Sequence, residues 1–386
     1  MSSDAREDLG IKRASGDGTG NAVMESAKRE TAGVVAVWLA SRILILAVAV
    51  AGYAIALSRQ VSASSVFEMW DHFESPMYAD IARNGYVGDG DYRYNTAYFP
   101  ATAVFMRMGL FLGLEPALTG MVVSLVAGAF AAVALGRLTA AIGGAPLWGA
   151  IGWVSAPTVV FLTAPWSEAL FSAFAFWSWL LARQGRWWWS GVLAAGASFT
   201  RINGVFLVVG LFAVWWFSDQ RRLRSLVPLG LPFLVLIGHS TYLWSLTGRW
   251  NEWRAVQSER WGRELVDPFT AFTNSWNLIF DFVPGAISTR FIGEIAAVLF
   301  VTLAVVVLLW KRLWPEAVFV AVTLAALATS TYYYSIPRNV TLLFPIWMLL
   351  GLALTRHIWL RWLYLALSIP LTAVVTVLFV DGQWIS

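Results

Sequence analysis

Hydrophobic and polar positions fall in long blocks along this chain. Apolar runs occupy 33–57, 98–113, 117–136, 145–163, 168–183, 187–217, 226–246, 292–310, 314–334, 339–355 and 358–380. A helix needs roughly 20 apolar residues to cross a bilayer core. Runs of this length and number predict an all-α polytopic membrane protein. Residues 1–31 are polar and of mixed charge, and they read as a disordered cytoplasmic tail. The apolar run that follows, near Ala32, reads as an uncleaved first span. Residues 32–386 then form a single transmembrane domain.

Basic residues between the runs set the topology. They occur at Arg137, at Arg183 and Arg186, at Arg221, Arg222 and Arg224, at Lys311 and Arg312, and at Arg356 with Arg361. The positive-inside rule places these junctions in the cytoplasm. Two cytoplasmic junctions must be separated by an even number of crossings. The run 187–217 must therefore be two short helices, broken outside at Thr200-Arg201-Ile202-Asn203-Gly204. Parity also places Glu168, Arg338 and the polar segment 247–291 outside. Of 98–113 and 117–136 only one crosses. The first carries Arg107 and reads as re-entrant or interfacial. The sum is about eleven crossings, an inner N-terminus and outer loops at 58–116 and 247–291. Arg42 lies near the inner end of the first span, close enough to snorkel.

Composition narrows the chemistry. The chain has 386 residues, 58% of them hydrophobic and 13% charged, so it lies outside the soluble range. It has no cysteine, and its histidines are His72, His239 and His357, which argues against thiolate or histidine-rich metal sites. His239 reads as a packing residue in an apolar span. A net charge of +4 fits the positive-inside bias and does not indicate nucleic acid. Aromatics make up 15% of the chain, which suits an interfacial belt or ring-faced sugar binding.

The first outer loop reads Glu68-Met-Trp-Asp-His-Phe-Glu-Ser-Pro-Met-Tyr-Ala-Asp-Ile-Ala-Arg-Asn-Gly-Tyr86. Ser75-Pro76 signals a helix start and Asn84-Gly85 a stop. Between them lies a short amphipathic helix, expected on the membrane surface. Asp71 just precedes that N-terminus, whose dipole favours a negative charge. Glu74 and Asp80 read as surface residues.

Five segments in order resemble the PIG-V family, relatives of GPI mannosyltransferase II within the GT-C membrane glycosyltransferases. They are Trp70-Asp71 with Tyr78 to Tyr86, Tyr98-Phe99-Pro100, Pro157 with Pro165 to Phe171, Thr200 to Gly204, and Pro337-Arg338 with Phe344-Pro345. The order and spacing match over about residues 34 to 360. Ala, Trp and Arg usage looks like that of a high-GC bacterium such as an actinobacterium, so the eukaryotic acceptor does not carry over.

The resemblance implies a GT-C-like bundle in the plasma membrane. It implies transfer of mannose from a polyprenyl-phosphate donor to a hydroxyl of a glycolipid or glycan on the outer face, with inversion. Its catalytic position carries over to Asp71, as general base. His72 would shuttle the proton, hold Asp71, or stand by. Arg201 and Arg338 would meet the donor phosphate, a task suited to the planar guanidinium. Arg201 could instead bridge two half-helices. Trp70, Tyr98, Glu168 and Asn203 would contact substrate, although Glu168 could equally be an acid at a helix start. Asn251-Glu252-Trp253-Arg254 and Gln257 to Arg263 could meet the acceptor or the donor head group, although a solvated amphipathic helix is the favoured reading there. No metal or cofactor is expected, and the partners beyond the two substrates are membrane lipids. Glucose or arabinose donors stay open. A transporter is the reading from another class; it calls for internal repeats and midplane sites, and no clear repeat occurs.

Overall fold

The computed structural model describes residues 17–62, 64–87, 94–218, 221–281 and 286–384. Helices α1 (Asp17–Ala51), α2 (Ser65–Glu68), α3 (Ser75–Asn84), α4 (Ala101–Leu110), α5 (Pro116–Ala141) and α6 (Pro146–Val154) come first. Then follow α7 (Glu168–Arg183), α8 (Trp187–Thr200), α9 (Asn203–Trp216), α10 (Leu231–Thr247), α11 (Glu252–Trp261) and α12 (Pro268–Phe280). The series ends with α13 (Ala286–Trp310), α14 (Trp314–Leu327), α15 (Ile336–Val340), α16 (Phe344–Arg356) and α17 (Ile358–Val380). Among the described residues there is no strand, only an isolated antiparallel bridge between Leu265 and Ser330.

Five helices are long and apolar enough to cross a membrane: Met24–Ala56, Pro116–Ala141, Leu223–Thr247, Thr289–Trp310 and Ile358–Val380. Ala101–Leu110, Asn203–Trp216, Trp314–Leu327 and Phe344–Arg356 are shorter apolar helices. The chain is thus a multi-pass membrane protein. The run 187–217 does split into α8 and α9, and it breaks at Arg201-Ile202.

Other elements differ from expectation. Residues 17–31 belong to α1; residues 1–16 of the expected tail lie outside the described residues. The segment 247–291 contains α11 and α12 and the start of α13. Helix α3 has the expected bounds, with Gly85 at φ 83 as its stop. Yet Tyr78, Ala79, Asp80, Ile81 and Ala82 are all buried, because α3 packs on α4 and α5. Asp80 is not a surface residue. Its Oδ1 accepts from Asn84 Nδ2 at 2.8 Å and its Oδ2 from Asn95 Nδ2 at 2.6 Å, which satisfies both buried oxygens. Arg42 does not snorkel. It is 3% exposed, donates to Val159 O and Thr163 Oγ1, and lies 4.2 Å from the Trp38 ring centre.

An aromatic chain runs through the core. Trp38 stacks on Trp153, Trp153 meets Phe176, and Phe176 meets Phe344. Trp179 and Phe319 close on Phe344 from the other side. Each such pair contributes about 0.5–1.5 kcal/mol beyond simple burial. Trp38, Trp70, Trp153, Trp166 and Trp179 are fully buried, so these rings are core and not belt. Trp188, Trp189, Trp216, Trp359 and Trp362 are exposed, as belt residues would be. Small residues set the helix spacing, as is usual in lipid, where packing and not water drives association. A Cβ on Gly128 of α5 would lie 2.1 Å from the Trp38 ring of α1.

The basic residues Arg183, Lys311-Arg312 and Arg356 lie at the C-terminal ends of α7, α13 and α16. Arg183 Nη1 donates to Glu316 Oε1 at 2.6 Å, and Ala145 N to Thr355 Oγ1 at 2.8 Å. The opposite helix ends carry the residues described next.

Candidate active site

A cavity of about 640 Å³ opens at that opposite end. Every one of the five sequence segments reaches it: Phe73, Glu74 and Tyr78; Tyr98 and Phe99; Ser167; Thr200 to Asn203; and Ser335, Arg338 and Asn339. The C-cap of α8, Arg201, is extended (φ −157, ψ 153), which ends that helix and points the chain across the cavity. Arg338 comes from α15, a single short turn held at its start by Glu294. The Glu294 carboxylate is wholly buried and accepts the backbone N–H groups of Ser335 at 2.6 Å and Ile336 at 2.8 Å.

Four charged side chains interlock at the base of the cavity. Arg338 Nη1 donates to Glu74 Oε1 at 2.5 Å and Nη2 to Glu74 Oε2 at 2.9 Å. Its Nε donates to Glu168 Oε1 at 2.6 Å. Arg201 Nη1 donates to the same Glu168 oxygen and to Ser167 Oγ at 2.8 Å. Glu168 Oε2 is buried with no hydrogen-bond partner. The Arg338 guanidinium also lies 4.3 Å from the Trp166 ring centre, a cation–π contact. Burial pushes the Glu74 carboxyl up, but the charge and hydrogen bonds of Arg338 override it and leave Glu74 below its ordinary value. Glu74, expected at the surface, is therefore a cavity residue held ionised.

The remaining expected site residues divide. Tyr98 and Asn203 line the cavity, and Asn203 Nδ2 donates to Asn339 Oδ1 at 3.1 Å. Glu168 lies beneath the lining with 0% exposure. Trp70, Asp71 and His72 do not line it. Trp70 is buried against Phe379. Asp71 Oδ1 accepts from Ser75 Oγ at 2.5 Å, so that hydroxyl serves Asp71 and does not cap α3. His72 packs between Phe73 and Phe379, and its Nε2 is buried without a partner. Burial pushes its imidazole below the ordinary value, with the Val380 backbone and Asp71 opposing. Phe73, between this group and Glu74, has φ 57, a strained value for a residue with a side chain.

Sequence reasoning underrated the roof of the cavity. Helix α11 places Trp253, Arg254, Gln257, Arg260 and Trp261 along it, and Arg263 follows the helix. Gly262, at φ 59, ends α11 and turns Arg263 back. The next residues pair with the end of α14: Val266 N donates to Thr329 O at 2.9 Å, and Thr331 N to Glu264 O at 3.0 Å. At its other end α11 is tied by Trp253 Nε1 to Ala97 O at 3.1 Å and by Thr96 Oγ1 to Glu252 Oε1 at 3.2 Å. The mixed aromatic and basic composition of α11 was the available signal. Trp384, beyond α17, also lines the cavity, 4.9 Å from the Phe73 ring centre. Among the described residues no three acidic or histidine side chains form a metal-binding group.

No protein-family model matches the chain, and no solved structure matches it. One curated relative is the GPI alpha-1,6-mannosyltransferase 2 of Cricetulus griseus, 34% identical over 165 residues. The match covers 39% of this chain and 33% of that protein, so the chain spans about a third of its relative's length. It is a multi-pass helical membrane protein with distant similarity to a mannosyltransferase.

Proposed function

We propose that the protein is a membrane glycosyltransferase that moves mannose from a polyprenyl-phosphate donor to a hydroxyl of a glycolipid or glycan. The observation that carries this reading is the meeting of five sequence-distant segments on one cavity, with aromatic faces, guanidiniums and a carboxylate together. The similarity to a mannosyltransferase supports mannose as the sugar. In the proposed reaction the acceptor oxygen attacks the anomeric carbon. The bond from that carbon to the lipid phosphate breaks, and the acceptor's proton passes to a carboxylate. Inversion follows from attack on the face opposite the leaving group.

Asp71 is our choice of base. Among the described residues no guanidinium is paired with it, whereas Glu74 and Glu168 are bound by arginines. A carboxylate already neutralised by a bidentate guanidinium is a weak proton acceptor. Asp71 stands two residues before Phe73 of the cavity wall. Arg201, 18% exposed, faces the cavity and would meet the leaving phosphate. Tyr98 and Asn203 would contact the sugar. We further propose about eleven crossings, with the cavity on the extracytoplasmic side of the plasma membrane.

The test uses purified protein, polyprenyl-phosphate [³H]mannose and membrane lipid extract. Wild type should transfer label, and Asp71→Asn, folded to the same melting temperature, should not. Equal transfer by Asp71→Asn removes Asp71 from the base role. Transfer from glucosyl or arabinosyl donors alone discards mannose.

A further inference from the structure

The charges around the cavity do not balance, and the imbalance lies on one side. At the base two guanidiniums, Arg201 and Arg338, meet two carboxylates, Glu74 and Glu168. That cluster is neutral as a unit. The roof is different. Arg254, Arg260 and Arg263 all line the cavity, and among the described residues none has a carboxylate partner. Arg263 donates to neutral acceptors only, Ser330 Oγ and Gln257 Oε1, each at 3.3 Å. Arg260 rests against Tyr94 and Trp261, at 4.5 and 5.1 Å from the ring centres. The nearby acid in the lining, Glu264, is exposed and accepts from Ser258.

Arg263 is only partly exposed, and an arginine removed from water without an anion is costly. Burial pushes its guanidinium below the ordinary value; Tyr334, Tyr332 and Glu294 oppose this, and the positive charge of Arg201 across the cavity adds to it. Arg201 and Arg263 thus face one space, in which the lining carboxylates are Glu74, already bound by Arg338, and the exposed Glu264. An anion placed there would meet both, with planar donors suited to phosphate oxygens.

We infer that the roof of the cavity is a phosphate subsite, in which Arg260 and Arg263 grip the phosphate ester of a lipid substrate from above while Arg201 meets it from below. The inference deepens the glycosyltransferase reading and rests on it for the lipid. It moves the main phosphate contact from Arg338, whose donors are spent on Glu74 and Glu168, to α11 and the turn after it.

The full-length protein in detergent is titrated by calorimetry with farnesyl phosphate, farnesol and inorganic phosphate. Farnesyl phosphate should bind at least tenfold more tightly than either of the others. Arg260→Gln and Arg263→Gln should each weaken it about tenfold, the loss of a charge-assisted contact. A second measurement needs no variant. Wild type is treated with phenylglyoxal, and arginine modification is read by peptide mass spectrometry. Farnesyl phosphate should protect Arg260 and Arg263 while leaving Arg107, exposed at a separate groove, as reactive as before. Binding without protection of either residue overturns the subsite. Equal binding by inorganic phosphate overturns its lipid ligand. Both readouts are taken without turnover. Binding and protection in a protein that moves no sugar would therefore reject the proposed activity and leave the subsite standing.

Discussion

Arg338 holds Glu74 with two near-parallel hydrogen bonds, 2.5 and 2.9 Å long, across 264 positions of sequence. The same guanidinium reaches Glu168 through Nε. The pair joins the first loop to the turn before α16, and everything at the base of the cavity is registered against it.

Removing one partner of this pair should be severe. Arg338→Gln leaves the buried Glu168 and the half-buried Glu74 charged and short of a partner, at a cost of about 3–5 kcal/mol. Arg338→Lys keeps the charge and loses the fork, and it should fall between wild type and Arg338→Gln. Melting temperatures in detergent give the order. An Arg338→Gln protein as stable as wild type would mean the cluster is not a structural clamp.

Glu294 should matter although its own side chain does not line the cavity. In Glu294→Gln an amide N–H₂ faces one of the two backbone N–H groups at the start of α15. Leaving a buried donor unmatched costs about 1–3 kcal/mol. Ser335, at φ 59, depends on that anchor. The expected result is a lower melting point, together with faster hydrogen exchange at residues 335–338 than in wild type.

His72 gives stability a pH dependence of definite sign. Its imidazole titrates lower in the fold than the ordinary value near 6.5 because burial disfavours the cation. The unfolded chain therefore takes up the proton first. The stabilisation is complete above about pH 6.5 and is lost as pH falls from there through the folded value. His72→Asn should flatten the melting temperature over that window, measured between pH 7.5 and 5.

Gly128 tests the helix spacing. Gly128→Leu would drive a side chain into the Trp38 ring and separate α1 from α5. Overpacking of this kind costs about 1–3 kcal/mol. Gly143, at φ 85 with open space around it, makes the contrast. Gly143→Leu there should destabilise through backbone strain and leave the α1–α5 contact intact, as read by a disulfide engineered between those helices.

Much of this was legible because the signals are local. Pro76 and Gly85 bound α3 in sequence and in structure. Arg201-Ile202 breaks an apolar run, and charge parity alone requires the break. What was not legible depends on partners far along the chain. Asp80 reads as polar surface until Asn95 folds back over it. Glu74 looks like one more loop acid until Arg338 arrives. Arg42 reads as a snorkelling cation because the Val159 carbonyl and the Thr163 hydroxyl that receive it lie far along the chain, in the turn between α6 and α7. Helix α11 carries the composition of a solvated helix, and only its two tethers turn it into a roof.

Those tethers have a consequence for traffic. A flap pinned along one edge can lift. A beam resting on two abutments, the 95–97 turn at one end and the 329–331 segment at the other, cannot swing on either. Whatever enters the cavity must then pass beside α11, along its length, and not under a lifted end.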